Sequence, residues 1–183
     1  VAKLDEGPEL LADAVDEYGR TALRLACELN SPQAIIHALL DAVDTFVMSK
    51  ANEADAAELA LSLPAADASM SLHDRLRAHL IGRQDAVTKL SALHAAAAAA
   101  PSAFATEALT ELLARCSAPQ VLELKDHLGR TALHVAAMRG GDVYEILVAA
   151  GADANTPDAR GHTPGALLQR KTAPASTPAA PAA

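Results

Sequence analysis

The chain has 183 residues and half of them are apolar, enough to bury a substantial core and too many for a chain that stays unfolded throughout. Its net charge of −8 argues against binding a phosphate backbone as the main activity, which relies on clustered Lys and Arg, so no nucleic-acid partner is expected. Position sharpens this: through residue 120 there are 9 basic and 17 acidic side chains, and from 121 on 6 of each, which makes a basic partner surface the expected one.

The start, VAKLDEGPEL, carries neither an initiating Met nor a charged-then-apolar leader, and the chain is expected to be a piece of a longer protein. Residues 9–15, ELLADAV, read as a partial helix within an N-terminal cap over 1–15. Next comes DEYGRTALRLACELN at 16–30: a polar turn ending in Gly19, a hydroxyl at Thr21 and a small-residue helix anchored by Leu23. Ser31 as N-cap and Pro32 at the first helical position precede Ile35, Ile36, Leu39, Leu40 and Val43, spaced for one face of a second helix.

The pattern then repeats with losses. AELALSL at 57–63 is a worn opening, followed by a stripe of Leu72, Leu76 and Leu80. Ser91-Ala-Leu-His-Ala-Ala is a third opening, with His94, and Leu109, Leu112, Leu113 and Cys116 form its second stripe. DHLGRTALHVAAMRGG at 126–141 is the fullest phrase. Gly129 serves the turn, Thr131 caps a helix by offering its hydroxyl to an unpaired backbone N–H, Leu133 fills the gap between helices, and Gly140 or Gly141 ends the helix. Val143, Ile146 and Leu147 follow, then Gly151 within GADAN. GHTPGALL at 161–168 supplies a shortened fifth copy closed by Gln169, Arg170 and Lys171, and TAPASTPAAPAA at 172–183 reads as a disordered or polyproline tail.

The openings fall at 21, about 57, 91, 131 and 163, with gaps near 36, 34, 40 and 32. On Asp126, Gly129, Thr131, Leu133, His134, Ala136, Ala137, Gly140 and Gly151 to Asn155 the sequence resembles the ankyrin repeat family, over roughly residues 10 to 170. Arg24 stands where that family prefers His, and Gly165-Ala166 stands where Leu-His is expected. The resemblance implies an all-α solenoid of stacked helix–turn–helix units with short β-hairpin-like turns. About five units are expected, at approximately 16–50, 51–85, 86–125, 126–157 and 158–171. No unit can bury its own stripe, so the interfaces between units would be the core.

Chemistry is scarce. Cys27 and Cys116 lack ligand-like neighbours, so no disulfide framework, zinc site or cofactor is expected, and a reducing compartment, cytoplasm or nucleus, is. No apolar run reaches the length of a membrane span, and no membrane partner is expected. His94 and His134 could serve a metal or a proton transfer, but the resemblance gives this His a structural role: with the hydroxyl three residues before it, it ties turn to helix. Ser71, His73 and Asp74 cannot converge as a triad from one helix. Arg75, Arg77, His73 and His79 form a basic cluster, read as a solvated helix face with an acidic or phosphate ligand as the alternative.

No enzyme is expected. The resemblance implies a protein-binding module, a scaffold or adaptor expected to be a monomer, or else a regulatory or targeting segment of a multidomain enzyme or secreted effector. Contacts in such modules come from the turn and the end of the first helix. Here these are Tyr18, Arg20, Glu28 and Leu29 with Glu17, then His127, Leu128, Arg130, Met138 and Arg139, then Arg160 and His162. Arg20 and Arg130 are expected to project from their turn tips, serving either solubility or contact.

Overall fold

The computed structural model describes residues 12, 14–51, 70–99, 102–116, 118–140 and 142–172. Among them are nine helices: α1 (Ala22–Glu28), α2 (Gln33–Ala51), α3 (Leu72–Ile81), α4 (Ala92–Ala99), α5 (Ala103–Arg115), α6 (Pro119–Leu122), α7 (Ala132–Arg139), α8 (Val143–Ala149) and α9 (Pro164–Thr172). The only β pairing among the described residues is a single bridge between Val15 and Thr21 at the base of the first turn.

The helices form two rows. α1, α4, α7 and α9 pack in succession as an inner row, and α2, α5 and α8 pack in succession behind them. The sequence explains the close approach within the inner row. Two residues after the Ser or Thr opening of each of the first three inner helices stands a buried Leu (Leu23, Leu93, Leu133), and five and six residues after it stand small side chains (Ala26 and Cys27, Ala96 and Ala97, Ala136 and Ala137). Small residues let neighbouring helices touch while each Leu fills the space between them. In the outer row Ile36, Leu40 and Val43 of α2, Leu109 and Leu112 of α5, and Val143 and Leu147 of α8 are buried against the inner helices. Ile35, expected on the buried stripe, is instead exposed. Cys27 and Cys116 are free thiols filling small buried positions, and burial alone pushes the Cys27 thiol up to about 12.

One connection departs from the simple period. α1 packs directly on α4, although the two helices begin seventy residues apart. The opening expected at 57–63 lies outside the described residues, so four of the five expected units are seen in the row. The described part of span 51–85 supplies α3, which packs on α2 and on the short α6 that follows α5. A charge cluster fastens it there: Arg77 Nε donates to Asp44 Oδ1 at 2.7 Å, Arg115 Nη1 binds the other oxygen of Asp44, and Arg115 Nη2 binds Asp41 Oδ1 at 2.7 Å. Leu76, Leu80 and Ile81 of α3 are buried with Val121 and Leu122 of α6. The N-terminal cap over 1–15 is described only at Ala12, which is buried, and at residues 14 and 15; the tail beyond 172 lies outside the described residues.

Candidate binding face

Each inner helix is preceded by a turn built around one aspartate. Asp16 Oδ1 accepts the amides of Tyr18 and Arg20, Asp126 Oδ1 accepts those of Leu128 and Arg130, and Asp158 Oδ1 accepts those of Arg160 and His162. The backbone closes the same loop each time, Asp126 N–H donating to the Arg130 carbonyl and Gly129 N–H to the Asp126 carbonyl. Gly19, Gly129 and Gly161 take positive φ at the third turn position, as a tight turn of this hand requires. The second unit does it differently. It runs Asp85 to Ser91 with one extra residue and no glycine; Lys89 takes the positive φ of 57° and Asp85 accepts four bonds, from the amides of Val87, Thr88 and Leu90 and from the Thr88 hydroxyl.

Burial works against the charge of Asp85, but those four donors outweigh it and pull the carboxyl down to about 2. Asp16, Asp126 and Asp158 are likewise held below the ordinary 3.8, burial pushing up and the turn hydrogen bonds pulling down harder.

Adjacent turns are stitched together by backbone. Ala86 N–H donates to the Tyr18 carbonyl at 3.1 Å, His127 N–H to that of Thr88 at 3.1 Å, and Ala159 N–H to that of Leu128 at 3.1 Å. Gly129 is required twice here, because a Cβ on it would stand 2.7 Å from the Ala159 nitrogen.

The histidines add a second stitch. His94 Nε2 lies 3.0 Å from the Arg130 carbonyl and His134 Nε2 lies 3.1 Å from the His162 carbonyl. A carbonyl only accepts, so Nε2 carries the proton and Nδ1 is the acceptor. The Thr131 hydroxyl then donates to His134 Nδ1 at 2.9 Å and the Thr131 amide does so at 3.1 Å; Ser91 and His94 repeat the arrangement. Burial lowers the pKa of both rings and keeps them neutral. The structural role expected for His94 and His134 thus includes a bond to the next unit. The cap expected of Thr131 takes the form of a capping box, its hydroxyl facing the His134 backbone N–H and the His134 ring accepting the Thr131 amide, and the same hydroxyl also serves the ring. Where the His is missing the hydroxyl caps alone, Thr21 Oγ1 accepting from Arg24 N–H at 3.2 Å and Thr163 Oγ1 from Ala166 N–H at 3.3 Å. Gly140 ends α7 with positive φ, and Gly151 ends α8 the same way.

The turns and inner helices present one face, and the expected contact residues distribute over it unevenly. Tyr18 is 49% exposed, Leu29 74%, Leu128 38% and Met138 41%, large apolar side chains left in water. Glu17, Glu28, His127, Arg139 and Arg160 are also exposed. Arg20 and Arg130 do not project freely. Arg20 Nε donates to Asp16 Oδ2 at 2.7 Å and Arg130 Nε to Asp126 Oδ2 at 2.8 Å, because the turn carboxylate has one oxygen left after serving the backbone. Arg20 also lies over the Tyr18 ring, 5.0 Å from its centroid. His162 pairs with Asp158 at 3.5 Å and is half-buried.

The sequence missed Val87, which is 68% exposed and occupies in the second turn the place of Tyr18 in the first and Leu128 in the third. Only the spacing of Asp85 to Ser91 signalled it, masked by the extra residue and the absent glycine. Tyr18, Val87 and Leu128 form a row of apolar tips.

The remaining candidates do not assemble into a site. Among the described residues no cluster of His, Cys, Asp and Glu could hold a metal, and no helix is long and apolar enough to cross a membrane. Ser71 caps α3, accepting from Asp74 N–H and donating to its Oδ2, which accounts for the Ser and Asp of the SLHD run. Arg77, from the basic cluster, is engaged by Asp44 and Asp74.

A model of ankyrin repeats, three copies, matches residues 48–158. No curated protein matches the chain.

Proposed function

The chain belongs to the ankyrin-repeat family, whose members are generally protein–protein interaction modules, and on that premise we propose that it binds a protein partner through the face made by its turns and inner helices. The observation that carries the reading is the row Tyr18, Val87 and Leu128. Three consecutive turns expose a large apolar residue at the same position, and Leu29 and Met138 are exposed at the far ends of α1 and α7. Scattered exposed apolar residues are ordinary, but aligned ones in register with a stack present a continuous stripe. The scaffold suits this role, because each turn is held by an internal carboxylate and by its neighbour. The tips are therefore ordered before a partner arrives, and little ordering entropy is lost on binding. In this reading Tyr18 and Met138 are anchors, while Arg20 and Arg130 hold the tips in place.

The test is a triple substitution, Tyr18→Ser, Val87→Ser and Leu128→Ser, set against Ile35→Ser with Phe104→Ser, which alters exposed apolar residues of the outer row instead. Both should fold, since the altered side chains are exposed. Partner capture should be lost in the first and kept in the second. Capture unaffected by the triple substitution, or abolished by the outer-row pair, sinks the proposal.

A further inference from the structure

Over the last two units acidic and basic residues balance in number, yet the charges left without a partner do not. Of the six acids after residue 120, four are engaged by hydrogen bonds within the protein. Asp126 is buried and holds its turn, Asp158 holds the next turn, Asp153, itself exposed, accepts from the Asn155 amide, Glu123 accepts from the Asp153 amide, and the one Thr156 hydroxyl proton lies within reach of both Asp153 and Glu123. The other two, Asp142 and Glu145, belong to α8 of the outer row. Two cations of these units are also engaged, Lys171 with the Met138 and Arg139 carbonyls at the end of α7, and Lys125 with the Pro157 carbonyl. Arg130 is paired with Asp126. What remains exposed on the turn-and-inner-helix side is Arg139 at the end of α7, Arg160 at the tip of the fourth turn, and Arg170 near the end of α9. At the opposite end of the same face stand Glu17 and Glu28.

Resting on the binding-face reading above, we infer that the partner segment is apolar with an acidic end, its apolar side chains lying on Val87, Leu128 and Met138 and its carboxylates over Arg139, Arg160 and Arg170. This reverses the basic partner surface expected from net charge. The physical reason is that a carboxylate saturated by backbone amides and a paired guanidinium presents little field to a visitor, whereas unpaired exposed arginines do. Arginine suits carboxylates in particular, since its planar fork can hold both oxygens at once. Apolar contact would supply most of the affinity, and the charges would set the direction in which the segment lies.

The experiment selects a random dodecapeptide display library on the immobilised full chain, then counter-selects on the Tyr18→Ser, Val87→Ser, Leu128→Ser variant, so that only peptides needing the apolar row are retained. The expected set is rich in Asp and Glu together with large apolar residues. A synthetic member, followed by fluorescence anisotropy, should bind about tenfold more weakly to Arg139→Glu with Arg160→Glu, a loss of about 1.4 kcal/mol, and should weaken as NaCl rises. Glu145→Lys on the outer row should leave its affinity unchanged. Retained peptides that are basic or show no charge bias overturn the inference while leaving the binding face intact, as does equal affinity for the double arginine variant. If no peptide depends on the apolar row, both the inference and the binding face fail.

Discussion

Arg24 occupies the place that His94 and His134 hold in the next two units, and replacing it with His tests how these units are joined. Its guanidinium is buried, yet Nε and Nη1 have no hydrogen-bond partner, and its nearest carboxylates, Asp85 and Glu28, are each 3.5 Å away, too far for good bonds. His94 and His134 each bond the carbonyl of the residue just before the next Ser or Thr, and for the first unit that carbonyl belongs to Leu90, which already accepts from Asp85 N–H as the Arg130 carbonyl does from Asp126. Arg24→His should gain a bond to Leu90 and one to Thr21, about 1 kcal/mol each, and remove two unsatisfied buried donors. Against this stands the lost attraction to Asp85, which keeps its four turn bonds, and the smaller volume of the ring, which leaves some space unfilled. The net expectation is a gain of about 1 to 2 kcal/mol, or a rise in Tm of about 2–8 °C for a domain of this size. Arg24→Ala provides the contrast, since it leaves a cavity and no bond and should lower Tm. Thermal unfolding by circular dichroism measures all three proteins. If Arg24→His melts as low as Arg24→Ala, the histidine bond to the next unit is not what joins the stack.

Further outcomes follow from the same geometry. Gly129→Ala should cost about 2 kcal/mol or more, because it adds a Cβ 2.7 Å from the Ala159 nitrogen to a positive φ, whereas Gly161→Ala, with open space around it, should cost only the conformational part, about 1 kcal/mol; urea unfolding separates them. Lys89→Gly should stabilise by about 0.5–1 kcal/mol through relief of the positive φ, less the entropy glycine adds to the unfolded chain, read in the same assay. Arg130→Glu should destabilise, since it sets a carboxylate against buried Asp126. Stability should also depend on pH. His94 and His134 have folded pKa values below the ordinary 6.5, so their contribution is complete above that value and is lost as the pH falls through the folded values; a second loss begins below 3.8 as the turn aspartates protonate. Chemical unfolding at pH 7.5, 6 and 5 should show falling stability, and a His94→Asn, His134→Asn variant should show most of that slope removed.

Local features were legible in the sequence because they are set by local chemistry. The hydroxyl, the Leu two residues on and the pair of small residues marked every inner helix of the first three units in the row, and the glycines marked three of the four turns. The second turn escaped notice because Asp85 does by four hydrogen bonds what Gly does elsewhere by conformational freedom, and Lys89 bears the strain. The packing of α1 on α4 could not be read from spacing, since the intervening span keeps helical periodicity while α3 packs outside the inner row. Net charge is a poor guide to this face for a related reason. Counting Arg20 and Arg130 as projecting cations, and the turn aspartates as surface acids, ignores that they bind one another and the backbone.

The binding face is tested most directly by placing a photocrosslinking benzoylphenylalanine at Val87 in one protein and at Phe104, exposed on the outer row, in another, and irradiating each in extract from its native cells. Binding at this face predicts a discrete adduct from position 87 that competes away with unlabelled wild-type chain, and none from position 104. An adduct confined to position 104 would place the partner on the opposite side of the stack and contradict it.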